Sequence, residues 1–522
     1  KPVPAPTAAP TLGRLRMFRR CPSTTSAGTG GGAPGRSVPG GVPAVSDFVS
    51  DFISSQNTRQ NAKKKSDEKF ISSLETQLIE YSMSLVFEDL SPKVISQAKR
   101  RITDTIGGAL GAFEAKPVEI AKTVVPKVNN ARSARIWGSL EKSTPEGAAF
   151  ANGTMLRYLD INDTHRTIDG SHPSDNLGGV IALAESLNLS GRDALLALTI
   201  SYEIQCRFVD SVPFNENGWD QPVPGVIAMA LAAGRMLNLN ASSMRDALAL
   251  AVTPNLCTYQ TRAGELSMWK GAAAANGARQ GIFAAMLASK GMTGPFEAFD
   301  GIYGLWNQTI KKQHNIAPLS FGKSLFGVEQ TNIKMYPVRD SCQLPVQTAR
   351  NLRKKITAED IKSLKIVTYG SAYKGAVEDP ELWAPKTRET ADHSMLIAVA
   401  LGLIDGTITP ESFESDRFLD RDVLELISKT EVEISPEFSA MSPATRTCQL
   451  IAKNSESKSF NSKLSLTAKD IELGPSDEEI QSKFYSLTER VMNNERAKLL
   501  FEASMNLENM KKISTLVDLT KV

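Results

Sequence analysis

Apolar positions recur at spacings of three and four along most of the chain after residue 70, the pattern of helices that bury one face. "FISSLETQLIEYSMSL" (70–85) opens it, and "LSPKVISQAKRRITDTIGGALGAF" (90–113) continues it with Ser91 as N-cap and Pro92 at the first helical position. Gly107, Gly108 and Gly111 lower helix propensity in that run, so their presence predicts a close approach by another helix. "LNLSGRDALLALTISYEI" (187–204) and "LNLNASSMRDALALAV" (237–252) are alike, each a turn with an Arg-Asp pair opening an apolar helix, and predict a bundle of helical hairpins. "WKGAAAANGARQGIFAAMLASKG" (269–291) adds a helix rich in small residues, again suited to tight contacts.

The period changes after about residue 335. "IKSLKIVTYG" (361–370), "EVEIS" (431–435), "TRTCQLIAKN" (445–454) and "KSFNSKLSL" (458–466) alternate or are rich in strand formers, with "NSES" as a hairpin turn between the last two. "ADHSMLIAVALGLIDG" (391–406) is a helix among them, and from Ser476 the helical period returns with acids in its first turn. The fold class predicted is mainly α. A large all-helical domain (67–333) is followed by a smaller α+β domain (334–475) and by C-terminal helices (476–522) that return to the helical domain.

Composition refines the two ends of this picture. The first 46 residues hold no acid and six basic residues, Lys1, Arg14, Arg16, Arg19, Arg20 and Arg36, among Pro, Gly, Ser and Thr. Such a segment cannot bury enough apolar surface to fold, and it has the composition of an organelle transit peptide, so residues 1–66 are expected to be a disordered leader and linker and the destination the mitochondrial matrix; the alternative is a plain disordered tail or mistranslated upstream sequence, with the cytoplasm as the destination. Without those six basic groups the formal charge of +3 becomes −3, which gives no support to a nucleic-acid surface. The longest apolar run (222–234) is closed by Arg235 well short of the ~20 residues that a membrane-spanning helix needs. Five cysteines, at 21, 206, 257, 342 and 448, stand singly, which suits a reducing compartment and offers no grouped ligands for zinc or an iron–sulfur cluster.

The candidate chemistry is concentrated in "LDINDTHRTIDGSHPSDN" (159–176), which carries two of the chain's four histidines, four acids and several hydroxyls between alanine-rich runs. Gly170 and Pro173 forbid one continuous helix, so a helix is expected to end near Asp163 and another to begin near Ser174, where free N–H groups favour an anion such as a substrate carboxylate. The plainer possibility is that Asp160 and Asp163 cap a helix and the histidines are polar loop residues. A metal site is a further alternative, but His165 and His172 lack i, i+4 spacing and no third histidine is near.

"RYLDINDTH" with "HPSDNLGG" resembles the signature of the MmgE/PrpD family, and the likeness continues through "AKRRITDTIGGALGA", "MWKGAAAANGARQG", "IKMYPVRDSCQ" and "SDEEIQSKF". The resemblance implies a helical domain beside a smaller α+β domain, a homodimer, an active site between the domains, and catalysis on a small polycarboxylate without metal or organic cofactor. Intact "HPSDN", "YEIQ" (202–205), Asp220, and Ala274 where decarboxylases carry histidine are similar to the family's 2-methylcitrate dehydratases. His165, where those have tryptophan, and "YPVRDSCQ" (336–343) depart from them and leave decarboxylation, epimerisation of a related acid, or a non-catalytic binding role open.

Dehydration of a β-hydroxy tricarboxylate needs a base for a carbon-bound proton, an acid for the departing hydroxyl, and cations on the carboxylates. Asp160, His165 and His172 are assigned acid/base work, and Lys270 and Arg262 hold carboxylates with Arg339 reaching in from the second domain. Asn162, Thr164, Ser174, Asp175, Asn176 and Tyr336 complete the expected substrate-binding set, while His314 and His393 are assigned structural roles, with the alternative that the family-like helix begun by "ETADHSM" (389–395) faces the cleft.

Overall fold

A computed structural model describes residues 74–522. The leader, the transit peptide and the linker expected over 1–66 lie outside the described residues.

The helical period is realised where the apolar stripes predict it. Helix Pro92–Leu110 starts at Ser91, whose hydroxyl accepts the Val94 N–H at 3.2 Å. Its glycines admit helix Asp477–Thr488: a Cβ at Gly107 would sit 2.9 Å from the Phe484 ring, and one at Gly111 would sit 3.1 Å from Leu487. The C-terminal helices thus return to the helical part, and Asn494–Met505 also packs on Pro92–Leu110. The twin motifs form Gly191–Val209, capped by Ser190, and Ala241–Val252, capped by Asn240. The small-residue helix Trp269–Ser289 packs on Pro145–Tyr158 and Pro222–Met236.

The described residues form two hydrophobic cores. One draws on residues 74–328 and 484–517, the other on residues 336–452. The second is built on a four-stranded mixed sheet in the order Thr430–Ile434, Ser363–Thr368, Thr445–Lys453, Ser459–Thr467. The first pair is parallel and the others antiparallel, with Leu450 opposite Ile366 on one side and Ser462 on the other. Helix Asp340–Arg353 packs on the last two strands and against Met395–Ile404. Among the described residues no helix is long and apolar enough to cross a membrane.

The polar stretch differs from its expected form. The helix ends at Tyr158 rather than near Asp163, and Asp160 takes a left-handed backbone, φ 50°. A small hairpin pairs His165–Arg166 with Gly170–Ser171, followed by a 3₁₀ turn Pro173–Asn176 and helix Leu177–Ser186. The helix stops early because the Asp160, Asn162 and Asp163 side chains find tertiary partners that a continued helix would carry away from them.

Candidate active site

Two segments distant in sequence are laid side by side beneath the site. Thr164 and Asn332 exchange backbone hydrogen bonds at 2.9 and 2.7 Å, which brings Asp160 and Lys334 together. The Lys334 ammonium bonds Asp160 Oδ1, and Arg157, one turn earlier on the helix, reaches the same oxygen at 2.5 Å. Lys270 Nζ lies 3.6 Å from Asp160 Oδ2 and 2.6 Å from each oxygen of Asp392. Arg388 joins Asp392 at 3.1 Å.

This charge cluster is buried, with none of Asp160, Lys270, Lys334 or Asp392 more than 1% exposed. Burial alone would raise both carboxyls, but Arg157, Lys334 and Lys270 hold Asp160 well below its usual range, and Lys270, His393 and Arg388 lower Asp392. Burial lowers the two ammonium groups against the pull of their carboxylates, Lys334 to about 8.

Two histidines face the resulting pocket with the same geometry. His172 Nδ1 donates to the Asp163 carbonyl at 2.6 Å, and His393 Nδ1 donates to Asp392 Oδ1 at 2.6 Å, so in each ring Nε2 is the nitrogen left for the pocket that both residues line. Burial keeps both neutral. Arg157 and Lys334 push His172 further down, and Lys270, 3.4 Å from the His393 ring, helps to lower that ring to about 3.

The inner cavity is about 40 Å³, room for no more than a few waters. Arg166, Arg262, Arg339, Asn215 and Tyr259 form a wall that it shares with an outer cavity of about 460 Å³. A small polycarboxylate therefore has space for its reacting carbons inside and for its remaining groups outside, along three guanidinium groups. Arg262 is aimed by Asp220 Oδ1 at 3.1 Å and by the Lys270 carbonyl at 2.9 Å. Arg339 comes from the second core's segment, with its backbone N–H on the Asp392 carbonyl; Gly375 gives it room, since a Cβ there would lie 2.7 Å from the guanidinium. Five buried polar atoms of residues at the inner wall have no partner among the described residues: the donors Arg157 Nε and Arg262 Nη2 and the acceptors Asn215 Oδ1, Asp220 Oδ2 and Asp340 Oδ1.

Several expected residues lie behind the wall. Asn162 donates to Ser174 Oγ and Asp175 Oδ1 at 2.8 and 2.9 Å. Asn176 donates to Gln205 at 2.7 Å, and the Thr164 hydroxyl to the Ser171 carbonyl at 3.3 Å. Gln221 binds the His172 N–H and the Asp175 carboxylate, so this set holds the His172 turn in place. His165 is turned away from the cavity: Nε2 is 2.7 Å from Asp210 and Nδ1 3.3 Å from the Gln330 carbonyl. Tyr336 belongs to the second core, its hydroxyl between Gln347 and Arg350.

His393, read from sequence as structural, is at the centre, and Lys334, Arg157, Asp392 and Arg388 were not singled out. Arg157 was legible as i, i+3 to Asp160; the Asp392-His393 pair stood before an apolar helix; nothing local marks Lys334. Asp160, Asp392 and His393 have ligand atoms close enough to hold a metal ion. Four basic side chains already occupy the two carboxylates, so a divalent cation would add charge where cations are already in excess.

Residues 76–316 match the MmgE/PrpD N-terminal domain and residues 336–509 the MmgE/PrpD C-terminal domain. Cis-aconitate decarboxylase of Homo sapiens is 27% identical over 456 residues, 83% of this chain and 91% of that protein. The 2-methylcitrate dehydratase of Escherichia coli K12 is 26% identical over 385 residues, covering 70% and 78%. A probable 2-methylcitrate dehydratase of Saccharomyces cerevisiae is 27% identical over 369 residues, 65% of this chain and 70% of that protein. With both family domains matched in order and most of each relative spanned, the chain belongs to the MmgE/PrpD family.

Proposed function

We propose that the protein is a hydro-lyase that converts a small hydroxy tricarboxylate, 2-methylcitrate, to 2-methyl-cis-aconitate with protein side chains alone. The observation that carries this reading is Asp220 Oδ2, a buried acceptor without a partner that stands, with Asn215 Oδ1 and Asp340 Oδ1, at a wall also carrying Arg166, Arg262 and Arg339. A buried acceptor is costly unless a donor reaches it. A hydroxyl supplies that donor, whereas a substrate made only of carboxylates and a double bond has none and would be repelled there.

Arg262, Arg339 and Arg166 hold the carboxylates, and the negative charge that builds beside one of them as its neighbouring C–H bond breaks is stabilised more than the ground state. Substrate entry brings negative charge beside both rings and raises them. With Nδ1 donating to Asp392, His393 presents Nε2 to the departing hydroxyl and carries its proton once the substrate's negative charge has raised the ring from about 3. His172, facing Arg157 and Lys334, stays unprotonated and takes the carbon-bound proton at Nε2. The C–H electron pair becomes the double bond and the C–O pair leaves with the hydroxyl as water. Asp160 fixes the charges around it. A homodimer and a place in propionate consumption complete the proposal.

A second reading is decarboxylation of cis-aconitate, favoured by the human decarboxylase, whose likeness covers more of both chains than the dehydratases' does. Chelator-treated protein incubated separately with 2-methylcitrate, citrate and cis-aconitate, and followed by NMR, separates them. The expected product is 2-methyl-cis-aconitate. Itaconate from cis-aconitate would establish the second reading, and no product from any of the three would remove both.

A further inference from the structure

Lys483, on the C-terminal helix Asp477–Thr488, is a buried lysine that touches no part of the pocket. Its ammonium has three acceptors at hydrogen-bonding distance: Asp104 Oδ1 at 2.5 Å, the Lys334 carbonyl at 2.6 Å and the Ile161 carbonyl at 2.9 Å. An ammonium has three protons, so all are used. Two of those acceptors are backbone atoms of the segments whose side chains meet in the Lys334–Asp160 pair. Ile161 directly follows Asp160, whose left-handed backbone is unfavourable for a residue other than glycine and is held by its surroundings.

Arg101 repeats the device on the same side. From helix Pro92–Leu110, which also supplies Asp104, it binds the Thr331 hydroxyl and carbonyl at 2.6 and 2.7 Å and stands 3.8 Å from Asp163. The two helices thereby grip both ends of the paired segments, 160–163 and 331–334.

We infer that Lys483 is a positioning residue: by tying the Ile161 and Lys334 carbonyls to Asp104, it holds Asp160 in its left-handed conformation and so sets the charge cluster beneath the two histidines. This rests on the reading of that cluster as the catalytic centre. It also makes the C-terminal helix part of the active-site scaffold although the helix contributes nothing to the cavity wall.

The test is Lys483→Met and Lys483→Arg, with thermal melts, kinetics on 2-methylcitrate and crystal structures. The expected result is a fall in kcat of about 10–100-fold with KM within about threefold, the scale of a small misplacement of reacting groups. In the crystals residue 160 leaves the left-handed region. Where Lys483→Met does not fold, Lys483→Arg decides, because it keeps the charge but not the three-acceptor geometry. A folded variant with φ of residue 160 still near 50° and parental kcat overturns the inference, as does a kcat loss that only follows the unfolded fraction. If the parent turns over none of the acids, the crystallographic readout still decides whether Lys483 holds Asp160, and the failure belongs to the proposed function.

Discussion

His165 and His172 stand seven residues apart in one polar segment, both buried or nearly so, and their surroundings are opposite. His172 spends one nitrogen on the Asp163 carbonyl and faces the cavity with the other, with Asp220 nearby on the same wall. His165 has both nitrogens directed at Asp210 and Gln330, and it belongs with Asp175, Asn162 and Asn176 to the support behind the wall. Residue type and local spacing do not separate the two histidines. What separates them is whether distant partners leave a nitrogen free. Substitutions in the wall should therefore change turnover, and substitutions in the support should change stability.

The strongest test of that division is His172→Asn, whose amide can still donate to the Asp163 carbonyl while nothing replaces Nε2. A loss of kcat of about 10²–10⁴-fold is expected, as for an acid/base group, with the melting temperature held. A variant that lost stability and activity together would move His172 into the support.

Asp220→Asn sharpens the wall side. Oδ1 remains to orient Arg262, while the charged acceptor for a hydroxyl is lost. Affinity for citrate is expected to fall about tenfold, the worth of one hydrogen bond to a charged group, while that for hydroxyl-free propane-1,2,3-tricarboxylate holds or improves. Inhibition constants for the two acids measure this without requiring turnover. Equal losses for both acids would show that Asp220 does not read the hydroxyl.

On the support side, burial pushes Asp175 up to about 6 despite Arg157 and Asn162. Its folded pKa lies above its unfolded value, so the native state binds the extra proton. The stability this adds is fully present below about pH 4 and is lost as pH rises through about 6, up to about 3 kcal/mol. Asp169, also raised by burial to about 6, acts in the same window and remains in the variant. His172 and His393, lowered by burial, act in the opposite direction and also remain, so the test is a difference: in denaturant melts from pH 4 to 7 the stability of Asp175→Asn should shift by up to about 3 kcal/mol less toward loss than the parent's, and an equal shift would place the titration elsewhere.

His165→Asn is expected to have the smallest effect on catalysis, kcat within about threefold, with about 1–3 kcal/mol of stability lost with the Asp210 contact. A large fall in kcat at unchanged stability would bring His165 back to the reaction.

Local physics carried the architecture far. The three-and-four period, the Ser91 cap with Pro92, the twin capped helices and the strand runs after residue 335 are each settled by neighbours within a turn or a hairpin, and they formed as read. The glycines of 107–111 even announced a packed partner, without naming the C-terminal helix that provides it. Asp160, His172, Lys270 and Arg339 were legible at the site because their charge is conspicuous among alanines or in a family-like motif, whereas no local pattern marks Arg262.

The sequence by itself determined which segments would be helices or strands, where the fold would change class, and that residues 159–176 would hold a concentration of acid and base. Only the tertiary structure decided which of those groups face the cavity. It brought Lys334, Asp392 and His393 against Asp160 and Lys270, and it turned His165 away. The reason is that a side chain's orientation and protonation are set by charges and hydrogen bonds within a few ångströms. Around Asp160 most of those come from residues more than a hundred positions away, Lys334, Lys270 and His393, and Lys334 also acts on His172.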